Sequence, residues 1–202
     1  MEKVGCSRVA LIDFLLKYGR LKRIPRTGWL LRGVSLGDVE SVAEHTLGTA
    51  LISMITARLL HSRGVKVDAW KVVEMAILHD LAESLILDMD REAVKEIGDE
   101  KKKAMEYAAE KIVLEGLPGE LKAEYGRLLD ELHEGESLES RIVKASDKLE
   151  TAIQAIEYSC KYSSDVLGVF YEDINEVEDF SLNELSELIV QVKKRSGGRR
   201  TS

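Results

Sequence analysis

Apolar positions recur along the chain at three- and four-residue spacing, in stretches separated by short polar or glycine-bearing breaks. The first stretch covers Ser7–Tyr18, where Val9, Leu11, Ile12, Leu15 and Leu16 are apolar and Gly19 supplies a stop. Residues 21–39 (LKRIPRTGWLLRGVSLGDV) interrupt the pattern with Pro25, Gly28, Gly33 and Gly37, so an ordered loop is expected there, not a regular element. Ser41 and Glu44 give S-x-x-E, a capping box that opens a helix running to about His61. After a loop at 62–67, Asp68 caps a helix expected to continue through Leu85. A charged helix follows at about 99–114, stopped by Gly116 and Pro118, and another at 120–132. A further helix is expected at about 138–160, and after a looser segment Ser181 opens a last one to about Lys194.

The helices at 41–61 and 68–85 carry apolar residues around most of their circumference, the mark of buried central helices. No internal repeat or linker divides the chain. The expectation is an all-α protein: one helical bundle over residues 1–195, followed by a Gly- and Arg-containing tail at 196–202 expected to be disordered.

Composition agrees with helices. Aromatic residues make up 5% and there are two prolines, so Ala, Leu, Ile and Val must fill the core. A length of 202 residues suffices for one core without disulfides, and Cys6 and Cys160 form no CxxC pair. The net charge of −7 offers no global basic field, so no nucleic-acid partner is expected. A small anion could still bind where a metal or a few Arg and Lys side chains reverse the sign locally. The amino-terminal residues lack a signal-peptide pattern and no apolar stretch is long enough for a bilayer, which points to a cytoplasmic protein without a membrane partner.

Candidate chemistry lies on the two buried helices. At ~100° per residue, with Lys71 as zero, Glu74 falls near ~300° and the pair marks a narrow solvent face. His79 (~80°), Glu83 (~120°) and Asp80 (~180°) cluster on the side away from it. Burying three ionisable groups together without partners costs several kcal/mol per charge. A bound cation offsets much of that cost, and imidazole and carboxylate are suitable ligands. The plainer alternative is a core histidine with Asp80 and Glu83 paired to Arg or Lys. His45, in the first turn after the Ser41 cap, adds a second imidazole on a buried helix, while Glu44 belongs to the capping box.

His45, the pair His79–Asp80 and the later Asp147 resemble the H…HD…D signature of the HD superfamily of metal-dependent phosphohydrolases. Within it the chain is similar to the HD-domain 5′-deoxynucleotidase (YfbR-like) family, through LKRIPRTGW (21–29), ESVAEHT (40–46), AILHDLAE (76–83) and VKASD (143–147), in the expected order. The resemblance implies a helical HD domain and one divalent metal held by His45, His79, Asp80 and Asp147, with Mn²⁺, Co²⁺ or Fe²⁺ favoured and Zn²⁺ compatible. Asp147 enters through the resemblance, because the apolar stripe of its helix (Ile142, Leu149, Ala152, Ile153, Ile156) leaves it off-centre, where periodicity reads a solvated charge.

The same resemblance implies that Glu83 and Asp88 are catalytic, although the family often has Gly-Asp where this chain has Leu87–Asp88. It implies that Trp29 and Arg32 approach the nucleotide. Bacterial members place Arg directly before the Trp, where this chain has Gly28, so Arg26 or Arg32 must meet the phosphate. His61 and His133 read as surface residues, and Lys101–Lys103 as a solvated helix face. The implied activity is hydrolysis of deoxyribonucleoside 5′-monophosphates, in a homodimer. The alternatives are an HD hydrolase of dNTPs, ppGpp or cyclic nucleotides, or a non-catalytic metal-binding dimerisation domain.

Overall fold

Local capping signals set most of the helix boundaries in the computed structural model, which describes residues 2–162, with side chains from Val9 onward, and positions 190, 191 and 194. Those three late positions are helical; the rest of the helix expected at 181–194, and the tail at 196–202, lie outside the described residues. Helix α1 spans Glu2–Tyr18 and runs into a 3₁₀ turn at Gly19–Arg23. A five-residue α2 (Thr27–Leu31) follows inside the segment expected to be irregular. Helix α3 (Val42–Ser62) starts at the expected capping box: Glu44 N donates to Ser41 Oγ at 3.3 Å, and Ser41 N donates to Glu44 Oε2 at 2.7 Å. An antiparallel bridge between Pro25 and Ser41 ties the loop before α2 to the start of α3.

Helix α4 (Ala69–Leu78) opens where Asp68 accepts from the amides of Trp70 and Lys71. It ends earlier than expected. Leu81 N donates to Leu78 O, Glu83 N to Asp80 O and Ser84 N to Leu81 O, so residues 79–82 form a tightened turn before the short α5 (Glu83–Ile86). Bonds to the third residue back narrow the backbone to about three residues per turn. The 100° wheel therefore stops applying at His79, within the region carrying the chemistry. Leu87 ends α5 at φ 66°, ψ 170°, a conformation ordinarily left to glycine.

Helix α6 (Arg91–Ile97), absent from the expectation, is capped by Asp90 and closed by Gly98 at φ 95°. Then come α7 (Asp99–Leu114), α8 (Gly119–Glu134), closed by left-handed Gly135, and α9 (Leu138–Tyr158), capped by Ser137. The described residues form no sheet, and no helix among them is long and apolar enough to cross a membrane.

Helix α3 packs chiefly on α4 and α9, and α8 and α7 close the other sides of the core. The main core joins Leu60, Val72, Met75, Leu81, Val113, Leu129, Ile142 and Leu149. A smaller cluster of Trp29, Val34, Ala155 and Tyr158 anchors the loop after α2. Helix α3 is not buried all round. It turns His45, Thr49, Ser53 and Ala57 inward and exposes Leu47, Leu51, Met54, Ile55 and Leu59. Instead of lying free on the surface, His133 Nε2 donates to Glu110 Oε1 (2.9 Å) and its ring stacks on Tyr107.

Candidate functional site

The four resemblance-derived ligands converge from three elements. His45 comes from the first turn of α3, His79 and Asp80 from the tight turn after α4, and Asp147 from the middle of α9. His45 Nε2 lies 3.0 Å from Asp147 Oδ1, 3.4 Å from His79 Nε2 and 3.7 Å from Asp80 Oδ2. His79 is oriented by the preceding turn, because its Nδ1 meets Ala76 O at 2.8 Å and leaves Nε2 pointing into the cluster. Helix α9 lies between partners, so it buries Ile142, Val143, Ser146, Leu149 and Glu150 on more than one face. That double burial explains how Asp147, off the apolar stripe, still reaches His45. Its side chain keeps 39% of its surface open, toward a cavity of about 230 Å³.

The electrostatics match a site shaped for a cation. Burial and Arg26 push His45 toward its neutral form, but Asp147 and Glu150 outweigh them and hold its pKa up at about 10. His79 is likewise raised: burial opposes its charge, and Asp80 more than restores it. Asp80 is lowered well below the usual carboxylate range; burial works against its charge, and the two imidazoles and Arg26 prevail. Asp80 Oδ2 is buried and makes no hydrogen bond despite lying 3.0 Å from His79 Nε2. An unbonded buried carboxylate oxygen beside two imidazole nitrogens and a second carboxylate is what a divalent cation would satisfy, so these residues fit one.

Glu83 lines the same cavity, with Oε2 buried and unbonded. Burial, with Asp80 and Asp88 adding, raises its pKa well above the ordinary value. Asp88 also lines the cavity, where Oδ2 accepts from the hydroxyl and the amide of Thr27. Trp29 forms a buried wall: its Nε1 donates to Glu40 at 2.8 Å, and its ring meets Tyr158 edge-on at 5.1 Å.

The two arginines separate. Arg26 lines the cavity and donates to Thr151 Oγ1 at 3.2 Å. Burial lowers its pKa, and the fields of Asp80, Asp147, Asp88 and Glu83 raise it by more, so it stays charged. Arg32 is not among the cavity's lining residues; its Nη2 sits 3.7 Å from Glu92.

Several lining residues had no sequence signal of their own. Lys102, expected on a solvated face, pairs with Glu106 at 2.8 Å and lines the cavity, while Lys101 and Lys103 are exposed. Glu40 and Glu150 are buried beside His45. Glu40 opens the ESVAEHT stretch, and Glu150 stands one turn after Asp147, where an acid on a charged helix reads as solvent-facing.

The family model described as HD domain matches residues 18–189. The chain belongs to this HD family. Among curated relatives, the mouse protein named 5′-deoxynucleotidase HDDC2 is 34% identical over 152 residues, covering 75% of this chain and 71% of that one. The human 5′-deoxynucleotidase HDDC2 is 32% identical, covering 76% and 71%. Among solved structures, a conserved hypothetical protein from Pyrococcus furiosus superposes with a TM-score of 0.78 at 35% identity, covering 91% of this chain and 99% of that one. The helical bundle is thus that of the HD family.

Proposed function

We propose that this HD protein is a metal-dependent 5′-deoxynucleotidase, hydrolysing deoxyribonucleoside 5′-monophosphates to deoxyribonucleoside and phosphate. The observation that carries the reading is the meeting of His45, His79 and Asp147, with the unbonded buried Oδ2 of Asp80 3.0 Å from His79 Nε2 and 3.7 Å from His45 Nε2, beside a cavity lined by Asp80, Asp147 and Arg26. The names of the relatives supply the substrate class. Those four side chains would hold one divalent ion, Mn²⁺, Co²⁺ or Fe²⁺ by preference and Zn²⁺ compatibly. Bound there, such an ion supplies Lewis acidity toward phosphoryl oxygens and makes a water easier to deprotonate.

The chain's own residues do the rest. Arg26, charged and inward-facing, neutralises non-bridging phosphate oxygens through its planar fork. Glu83, whose carboxyl is raised above its ordinary range by burial and by Asp80 and Asp88, takes the proton of the attacking water. Asp88, fixed by Thr27, accepts from a sugar hydroxyl. The ring of Trp29, immobilised by Glu40 and Tyr158, crowds the place of a 2′-hydroxyl and favours deoxyribose. The cytoplasm, where nucleotides are recycled, is the compartment this reading assigns.

Phosphate release should be measured from mono-, tri- and cyclic nucleotides, before and after exhaustive chelation. The expected result is release from dNMPs alone, abolished by chelator and restored by Mn²⁺ or Co²⁺. Glu83→Gln should keep the metal and lose turnover by about 10²-fold or more. Activity indifferent to chelation would end the metal reading, and a preference for triphosphates or cyclic nucleotides would replace the substrate.

A homodimer belongs to the same reading. Leu47, Leu51, Met54, Ile55 and Leu59 make an exposed apolar stripe along α3, and a two-fold partner bearing the same stripe would cover it. Sedimentation should give a dimer for the native chain and a monomer for Leu51→Glu; an unchanged mass for that variant would move the interface elsewhere.

A further inference from the structure

The proposed metal site uses Nε2 of His45 and leaves its Nδ1 unexplained. That nitrogen faces Glu150 Oε2 within hydrogen-bond distance, with both side chains buried. Helix α9 thus presents one carboxylate to each side of the same ring, Asp147 to Nε2 and Glu150, one turn later, to Nδ1. The two histidines are anchored by different means: His79 leans on the backbone carbonyl of Ala76, His45 on an acid brought in from a distant helix.

A second observation concerns α3. Gly48 stands in the helix interior, one turn beyond His45, where glycine is a poor helix former. A Cβ built on it would lie 2.7 Å from Glu150 Cγ, 2.8 Å from Oε1 and 3.2 Å from Cδ. Real Cβ atoms essentially never show the first two of these contacts, so a side chain at 48 would force the Glu150 side chain to shift from the place where it meets His45.

We propose that Gly48 and Glu150 form a positioning unit for the metal centre: Gly48 is the slot through which Glu150 reaches His45 Nδ1, and Glu150, by accepting that N–H, fixes the tautomer and ring angle that direct Nε2 to the cation. The unit rests on the metal-site reading given above. An outer carboxylate on a ligating imidazole sets its orientation and makes it a better donor, and losing one typically weakens metal binding 10- to 100-fold. Neither residue touches substrate.

The test uses full-length protein stripped of metal and titrated with Co²⁺, read by equilibrium dialysis and by the visible absorption of the bound ion. Glu150→Gln and Gly48→Ala are each expected to weaken Co²⁺ binding about 10- to 100-fold and to alter the Co²⁺ bands, with helical circular dichroism kept. In a Glu150→Ala background, which removes the atoms a methyl at 48 would strike, Gly48→Ala is expected to cause no further loss. Should Glu150→Gln fail to fold, Glu150→Asp keeps the charge, withdraws the carboxylate by one methylene, and carries the same expectation. Wild-type affinity and spectrum in either single variant, or an equal penalty from Gly48→Ala with and without Glu150, would overturn the unit. A native chain that binds no Co²⁺ would overturn the metal reading itself, a result distinct from tight binding by every variant.

Discussion

Arg26 and Arg32 sit at the two ends of α2, and their surroundings assign them different work. Arg26 is inward, bonded to Thr151 and facing four carboxylates whose charge it balances. Arg32 turns outward to Glu92, a residue 81% exposed. Arg26→Ala should therefore lower kcat/KM for a dNMP by about 10²-fold, the scale of losing a charge-assisted contact to phosphate, while Arg32→Ala should change it less than twofold. Steady-state kinetics on both variants checks the pair, and a reversal would return the phosphate contact to Arg32. Sequence could narrow this choice to two residues and no further, because a loop without periodicity gives no direction to a side chain. His79 and Asp80 were legible from their place on an otherwise apolar segment, and His45 from a cap followed by a buried helix. Asp147 needed the family pattern, and Glu150 had no signal apart from its spacing. Gly48, in the middle of a helix, carries no sequence signal either, because its reason, Glu150, lies 102 residues away in the chain.

Helix signals of the capping kind are local and therefore readable: Ser41 and Asp68 act where sequence places them, and Ser137 and Gly135 do the same work at α9 and α8. Asp90 and Gly98 bracket α6 in the structure, a helix not expected from the sequence. The early end of α4 was not readable, since HDLAES contains neither glycine nor proline and would continue as α-helix on its own. The tightened turn at 79–82 holds His79 and Asp80 against α3 and α9, so packing, not propensity, decides it. Helix α5, which follows the turn, ends on Leu87 at φ 66°, where a side chain costs about 1–3 kcal/mol. Leu87 is 52% exposed and contributes little burial. Leu87→Gly should thus raise stability by about 1 kcal/mol in thermal or urea unfolding, with activity kept; a loss of stability would mean that Leu87 packs against something that repays its strain.

At the scale of the molecule, the cavity wall is assembled from Arg26–Trp29, Asp80–Arg91, Lys102 and Asp147–Thr151, segments far apart in the chain. No unfolded conformer offers the four ligands together, so a metal that binds the native site stabilises the native state alone. At 100 times its dissociation constant the increment is about 2.7 kcal/mol, readable as a rise in Tm with added Mn²⁺. The increment has a pH sign. Without metal, His45 has its pKa raised from 6.5 to about 10, so its protonated form stabilises the fold fully below 6.5 and loses that contribution as pH rises toward 10. The metal must displace that proton, so its stabilising effect should grow with pH across this window; a Tm increment that shrinks instead would place the ion elsewhere. Because the ligands span the helices that build the core, the ion also acts as a clasp on the whole bundle. The standing amount of folded protein in a cell, and its survival against proteases that act on opened chains, would then follow the supply of that ion, apart from any change in catalytic rate.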